Sequence, residues 1–272
     1  MRLAILLTAS LLAASLAQAQ IPSTQIDPPP QTNVPKDAPL NPKLPTLFIV
    51  GDSTARNGAN LGWGDHLDHY FDTTKINIAN RAIAGRSSRT YINEGHWTKT
   101  LAEMKPGDYM LFQMGHNDGG DLGGAKPRGE IKGIGDESQE IPQTAGPLAG
   151  TTETVRTYGW YVRKYVAEAR AKGVTPIFLT VTIRNIWKDG RIERDMGYTG
   201  YIHQLSAELH VPVADMATLE ADNLESLGPE KTALLFPIDH THTSAAGAEM
   251  NAIIVVKALA DIHSPVADFL KQ

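Results

Sequence analysis

The amino-acid sequence predicts an α/β fold: a three-layer α/β/α sandwich around a parallel sheet of about five strands. Three observations lead there. Short apolar runs of strand length recur along the chain, the first of them closed by Gly51. Between them lie stretches whose apolar residues repeat at spacings of three and four, the period of an amphipathic helix. Short polar blocks carrying Ser, Asn, Asp and His follow the strands directly, where open parallel sheets place their chemistry.

Taken in order, the elements begin with a segment outside the fold. Arg2, an apolar stretch from Leu3 to Ala17 and the small-x-small triplet Ala17-Gln18-Ala19 have the layout of a secretory signal peptide. The apolar stretch is shorter than the run of about 18 residues expected of a spanning helix, and no second run follows. Residues 1–19 are therefore read as a signal peptide removed on export, leaving a periplasmic or secreted protein with no membrane contact. Residues 20–45 hold eight of the seventeen prolines, including Pro28-Pro29-Pro30. With so little to bury, they read as a disordered, extended spacer. Residues 46–272 show no second Pro-rich break and no internal repeat, and they are long enough for one domain with a well-buried core.

Within that domain, Thr46–Val50 (TLFIV) reads as a buried strand, followed by strands at Ile76–Asn80 and Asp108–Met114. Val174–Val181 (VTPIFLTV) is the clearest strand, and a weaker one lies around Val211–Val213. A helix is expected over residues 153–172, with Val155, Tyr158, Val162, Tyr165, Val166 and Ala169 on one face and Gly173 as its stop. A last helix is expected over Ser244–Ala260, capped by Thr243 or Ser244, with Ile253, Ile254 and Val256 facing inward.

Composition excludes several classes of function. There is no cysteine, so a cysteine nucleophile, an iron–sulfur cluster, a thiolate zinc site and a lipid-anchored cysteine are ruled out. The formal charge of −5 becomes −6 once Arg2 leaves with the leader, a poor match to nucleic acid. No Gly-x-Ser-x-Gly elbow, His-Glu-x-x-His helix or phosphate-binding P-loop is present.

Four blocks carry the candidate chemistry: Gly51-Asp52-Ser53, Ala84-Gly85-Arg86-Ser87, Gly115-His116-Asn117-Asp118 and Asp239-His240-Thr241-His242. A serine hydroxyl becomes a nucleophile when an imidazole can take its proton. The imidazole needs a carboxylate to fix its tautomer, and Asp239 precedes His242 by three residues, close enough for their side chains to meet. Backbone N–H groups of Ser53 and Gly85 and the Asn117 amide would then form an oxyanion hole. Each block alone is a common turn sequence; all four in order, each at a strand end or helix start, form a constellation that chance rarely supplies. Asp52 and Asp118 read as turn braces. His66, His69, His96, His203, His210 and His263 read as structural or solvated, with His116 and His240 beside the site. A metal site from His116, Asp239, His240 and His242 would leave Ser53 and Asn117 without a purpose.

Together the blocks resemble those of the SGNH (GDSL-like) hydrolases. The stretches 49–55 (IVGDSTA), 80–89 (NRAIAGRSSR) and 239–248 (DHTHTSAAGA) look like the rhamnogalacturonan acetylesterase family, over essentially all of residues 46–265. The resemblance implies a flavodoxin-like SGNH catalytic domain that hydrolyses acetyl esters on rhamnogalacturonan, a pectin backbone, without cofactor or metal. It implies Ser53, Asp239 and His242 as catalytic residues and Ser53, Gly85 and Asn117 as the oxyanion hole. The long Gly-rich segment from Gly119 to Gly150 departs from a minimal member and could wall the cleft.

Galacturonate carries a carboxylate that a guanidinium can hold by two parallel hydrogen bonds. Arg81, Arg86 and Arg89 cluster around Gly85, and Arg56 lies near Ser53; Arg86 and Arg89 are the expected substrate contacts. The same scaffold could serve an acetylxylan or general short-chain esterase. A non-catalytic carbohydrate-binding protein and a metallohydrolase are the readings from other classes. The expected partner is an acetylated polysaccharide and the expected state a monomer.

Overall fold

The structure, a computed structural model, describes residues 38–271. The predicted signal peptide over 1–19 and the spacer as far as residue 37 lie outside the described residues. The chain is tied down before its first strand. Asn41 N–H donates to Asn77 Oδ1 at 2.9 Å, and the Leu44 carbonyl accepts from Lys105 Nζ at 2.7 Å.

The strands are β1 (Thr46–Gly51), β2 (Asn77–Asn80), β3 (Tyr109–Gln113), β4 (Ser138–Pro142), β5 (Thr152–Arg156), β6 (Thr175–Leu179), β7 (Trp187–Lys188), β8 (Arg191–Ile192) and β9 (Val213–Ala214). The helices are α1 (Ser88–Asn93), α2 (His96–Glu103), α3 (Tyr158–Ala171), α4 (Tyr198–Leu209), α5 (Met216–Leu227), α6 (Pro229–Ala233) and α7 (Ala245–Asp261). Five strands make a parallel sheet in the order β2-β1-β3-β6-β9, which is the α/β architecture the sequence predicts.

Alternation along the strands divides the core. Phe48, Val50, Met110, Phe112 and Phe178 pack with Tyr158, Tyr165 and Ile202 from α3 and α4 on one face. Leu47, Ile49, Leu111, Ile177 and Leu179 pack with Val255 and Leu259 of α7 on the other. Successive strand residues point to opposite faces, so a sheet covered on both sides needs uninterrupted apolar runs. Each fully buried Leu, Ile or Phe contributes about 1.5–3 kcal/mol by leaving water.

Four expectations shift. The strand near 211–213 is β9, one to two residues later, because Pro212 has no N–H for the ladder and contributes only its carbonyl, to Phe178 N–H at 2.9 Å. The helix expected from residue 153 starts at Tyr158. Residues Thr152–Arg156 instead pair antiparallel with β4, the outcome favoured by the β-branched Thr152, Thr154 and Val155. Thr157 then caps α3, its Oγ1 accepting the Trp160 N–H at 3.1 Å. Ile253 is 51% exposed while Ile254 and Val255 are buried, since the stripe facing the sheet runs through 251, 254, 255, 258 and 259 at helical spacing and position 253 lies outside it. The Gly119–Gly150 segment is not structureless but is folded as a long turn leading into the β4–β5 hairpin. Gly173 does end α3: at φ +73° it adopts the left-handed conformation of a helix stop. Ser244 caps α7, its Oγ accepting the Gly247 N–H at 3.2 Å.

Candidate active site

Ser53 lies just past the end of β1, Gly85 past β2 and Asn117 past β3. Since β1 is flanked by β2 and β3, the three loops emerge side by side at the carboxyl edge of the sheet. The chain moves outward to β2 and then reverses to β3, the switch in strand order at which open α/β sheets form their crevices. The Asp239–His242 loop arrives from the far end of the sequence, immediately before α7.

These loops bring the predicted residues into contact. Ser53 Oγ lies 2.9 Å from His242 Nε2, and His242 Nδ1 lies 2.7 Å from Asp239 Oδ2. The second carboxylate oxygen, Oδ1, accepts the Thr241 and His242 N–H groups, each at 2.7 Å. Burial alone would push the Asp239 carboxyl up, but the hydrogen bonds from His242 and Thr241 outweigh it and bring it down to about 2. An ionised Asp239 can only accept, so Nδ1 carries the ring proton and Nε2 presents its lone pair to the Ser53 hydroxyl. Both ring nitrogens of His242 are engaged, and His116 Nε2 is bonded to Thr182 Oγ1 at 2.7 Å.

The Ser53 loop is braced from beneath. Asp52 Oδ1 accepts the Thr54 N–H and hydroxyl, both at 2.9 Å, the turn-bracing role expected of it. Gln113, a polar residue at the end of an apolar strand, accepts from Thr54 Oγ1 at 3.1 Å and from Trp63 Nε1 at 2.9 Å. That polar ending was the sequence signal for a supporting residue that motif reading misses.

Gly85 has φ +75°, a left-handed conformation that disfavours any side chain. Among the described residues, neither the Ser53 nor the Gly85 N–H makes a hydrogen bond to the protein, while Asn117 Nδ2 donates one of its hydrogens to the Arg86 carbonyl at 3.0 Å. Asp118 ties the second and third blocks together, accepting the Ser88 N–H at the start of α1 at 2.9 Å. It therefore braces α1 rather than its own turn. Burial pushes the Asp118 carboxyl up to about 7, and burial, then the neighbouring Asp118, pushes Glu130 well above the usual carboxylate range.

The arginines do not behave alike. Arg89, expected at the substrate, is 1% exposed. Its guanidinium donates to the carbonyls of Leu122 at 3.0 Å, Gly129 at 2.5 Å and Pro127 at 2.8 Å. A buried cation needs acceptors and a counter-charge: the turn from Leu122 to Gly129 supplies three carbonyls, and Glu153 Oε1 lies 3.4 Å from Nε. Arg89 therefore pins that turn while also lining the cleft beside Gly85. Arg86 is partly exposed and paired with Glu94 at 2.6 Å. Arg56 pairs with Asp65 at 2.8 Å and Arg81 with Glu103 at 2.7 Å.

A cleft of about 560 Å³ opens beside Gly85, walled by Arg86, Lys126, Arg128, Gly146 and Pro147, so the 119–150 segment does form one side of it. A smaller hollow of about 360 Å³ opens beside Asn117, lined by His116, Arg184 and Tyr198. Ser53 and His242 line neither; both hollows reach the site from its Gly85–Asn117 side.

No family model matches the chain. A rhamnogalacturonan acetylesterase of Emericella nidulans is 32% identical over 215 residues, 79% of this chain and 84% of that protein. Among solved structures, the Bacillus subtilis protein YxiM superposes with a TM-score of 0.62 at 25% identity, over 80% of this chain and 56% of that one. The acetylxylan esterase Axe2 of Geobacillus stearothermophilus shares the fold, with a TM-score of 0.53 at 18% identity over 82% of this chain and 95% of that one.

Proposed function

The chain belongs to the rhamnogalacturonan acetylesterase family, and from that premise we propose that it removes acetyl groups from rhamnogalacturonan with Ser53 as nucleophile. The observation that carries the reading is the unbroken relay from Ser53 Oγ through His242 to Asp239. Ser53 Oγ attacks the acetyl carbonyl carbon as His242 Nε2 takes its proton. The carbonyl oxygen, now negative, accepts from the Ser53 and Gly85 N–H groups and from the second hydrogen of Asn117 Nδ2. Collapse of this intermediate expels the sugar oxygen, which takes the proton from His242, and leaves acetyl-Ser53. Water, deprotonated by His242, attacks the acetyl-enzyme, and collapse of this second intermediate returns the proton from His242 to Ser53 Oγ and releases acetic acid, which ionises to acetate. Asp239 stays ionised throughout and steadies the imidazolium.

Recognition of an acidic polymer must be local, because the chain is itself formally negative. The cleft beside Gly85 gathers Arg86, Arg89, Lys126 and Arg128 against two carboxylates, Glu94 and Glu153; this excess of cations supports galacturonate binding there, with Arg86 or Arg89 as the contact. The reading also includes export: residues 1–19 as signal peptide, 20–45 as spacer, the end of which is fastened to the domain at Asn41 and Leu44, and 46–272 as the catalytic domain. Among the described residues no helix is long and apolar enough to cross a membrane.

The deciding experiment measures acetate release from acetylated rhamnogalacturonan, xylan and mannan by the protein and by Ser53→Ala. Fastest release from rhamnogalacturonan, abolished in Ser53→Ala, is the expected result. Faster release from xylan would transfer the assignment to an acetylxylan esterase, and full activity in Ser53→Ala would end the serine mechanism.

A further inference from the structure

Beyond the hydrolytic site, the short 3-10 turns Trp63–Asp65 and Leu67–Tyr70 pack against α7, and three side chains of metal-binding type meet at that contact. One ligand atom from each of His66, His69 and Glu249 lies within 4.8 Å of the others. His69 Nδ1 is 3.5 Å from Glu249 Oε2, matching the edge of about 3.4 Å spanned by two zinc ligands with arms of about 2.1 Å. His66 Nδ1 contacts the same oxygen.

The bonds behind these ligands give the arrangement its direction. His66 Nε2 lies 2.9 Å from the Asn60 carbonyl, which can only accept, so Nε2 carries the proton. Nδ1 then turns a lone pair toward Glu249 Oε2, an oxygen that also only accepts. Buried and in contact with that carboxylate, Nδ1 still makes no hydrogen bond of sound geometry. The contact needs a positive charge between its lone pairs: a proton on Nδ1, which makes it the His66–Glu249 ion pair, or a metal ion that displaces that proton as the pair opens to ligand spacing. Glu249 is oriented in turn by the Tyr70 hydroxyl, which donates to its other oxygen, Oε1. A histidine held through its far nitrogen by a carbonyl, and a carboxylate held through its far oxygen, are the supports that orient metal ligands.

We propose that His66, His69 and Glu249 bind a divalent cation of the zinc class, with water completing the coordination. Two imidazoles and a carboxylate suit such an ion, and the exposed side of the site leaves room for water. These residues belong to neither hollow at the hydrolytic site, and none bonds to Ser53, Asp239 or His242, so the ion is a clip and takes no part in hydrolysis. It fastens a turn following the Ser53 loop to the helix that follows His242, positions 183 residues apart in sequence. Crosslinks across long loops restrict the unfolded chain most, and this protein has no cysteine with which to make a disulfide.

The test is a calorimetric titration of chelator-treated protein with zinc chloride, paired with thermal melting and an aryl-acetate assay. One equivalent should bind and raise Tm by several degrees, while the hydrolysis rate stays the same with or without zinc. Tyr70→Phe removes an outer support and should weaken binding by roughly 10–100-fold. His69→Gln and Glu249→Gln remove ligands and should weaken it more. Retained aryl-acetate hydrolysis by these variants verifies that they fold. Absence of binding heat would overturn the proposal. Binding that persists in His69→Gln would overturn it as well, and if that zinc also stopped hydrolysis it would be assigned to the His240–His242 loop.

Discussion

The two halves of the site are built differently. The Asp239–His242 half is local: donor and acceptor lie three residues apart, on one loop, with backbone N–H groups of that same loop completing the carboxylate. The Gly85–Asn117 half is assembled from afar. Arg89 reaches carbonyls 33 to 40 positions away, and Asp118 holds Ser88 from 30 positions away. The local half needs little of the fold to keep its geometry, whereas the distant half depends on buried polar groups held by partners far along the chain. The first should therefore fail through chemistry when altered, and the second through stability as well.

The largest effect should come from Asp239→Asn. Losing the carboxylate that sets the imidazole tautomer lowers kcat about 10⁴-fold in a serine protease, and a loss of that order with unchanged Tm is expected here. A large drop in Tm would show that the loop is not self-sufficient. Next is Asn117→Ala, which removes one proposed oxyanion donor and should lower kcat by roughly 10²–10³ with little change in KM. A pure KM effect would make Asn117 a ground-state contact. Steady-state kinetics on an aryl acetate measure both.

Arg89→Met should behave in the opposite manner, leaving buried carbonyls of the Leu122–Gly129 turn without donors at a cost of about 1–3 kcal/mol each. Tm should fall by several degrees and limited proteolysis should cut within that turn, with losses of activity on both pectin and aryl acetates. Unchanged melting would remove Arg89 from the distant half.

A smaller effect concerns pH. Burial raises Asp118 from 3.8 to about 7, so folding favours its protonated form. That contribution is complete below about pH 4 and is lost as pH rises through about 7. Asp118→Asn cannot ionise, so its Tm should fall less between about pH 5 and pH 8 than that of the unsubstituted protein. Melting curves that fall in parallel would assign the titration elsewhere. The smallest effect is expected of Arg86→Gln, which should raise KM severalfold for acetylated pectin oligosaccharides and leave aryl-acetate hydrolysis unchanged. An equal loss on both substrates would mean that its pairing with Glu94 supports the Gly85 loop.

The same division explains what the sequence discloses. Ser53, Gly85, Asn117, Asp239 and His242 are legible because each sits beside a strand end or helix start in a short block, and the sheet gathers those ends on one edge. Arg89 is half legible: its place beside the cleft follows from its neighbours Arg86 and Gly85, but only the fold shows its guanidinium bonded to the carbonyls of Leu122, Pro127 and Gly129. Helix α3 is anticipated five residues early because Val155 falls in phase with Tyr158 and Val162; nothing local announces its pairing with β4. The contact among His66, His69 and Glu249 is hidden for the same reason, since Glu249 arrives from a helix almost at the other end of the chain.

Ser53 and His242 are 189 positions apart, one beside the first strand and the other just before the last helix. Every parallel strand pairing must form through a crossover before these side chains can meet, and such non-local topologies fold slowly. A chain emerging from synthesis therefore cannot pair Ser53 with His242 until its final segment has docked. Regain of hydrolysis after dilution from denaturant should consequently trail, and never precede, the return of fixed tertiary packing. Ester cleavage in this molecule is a clock stopped by the last step of its own assembly.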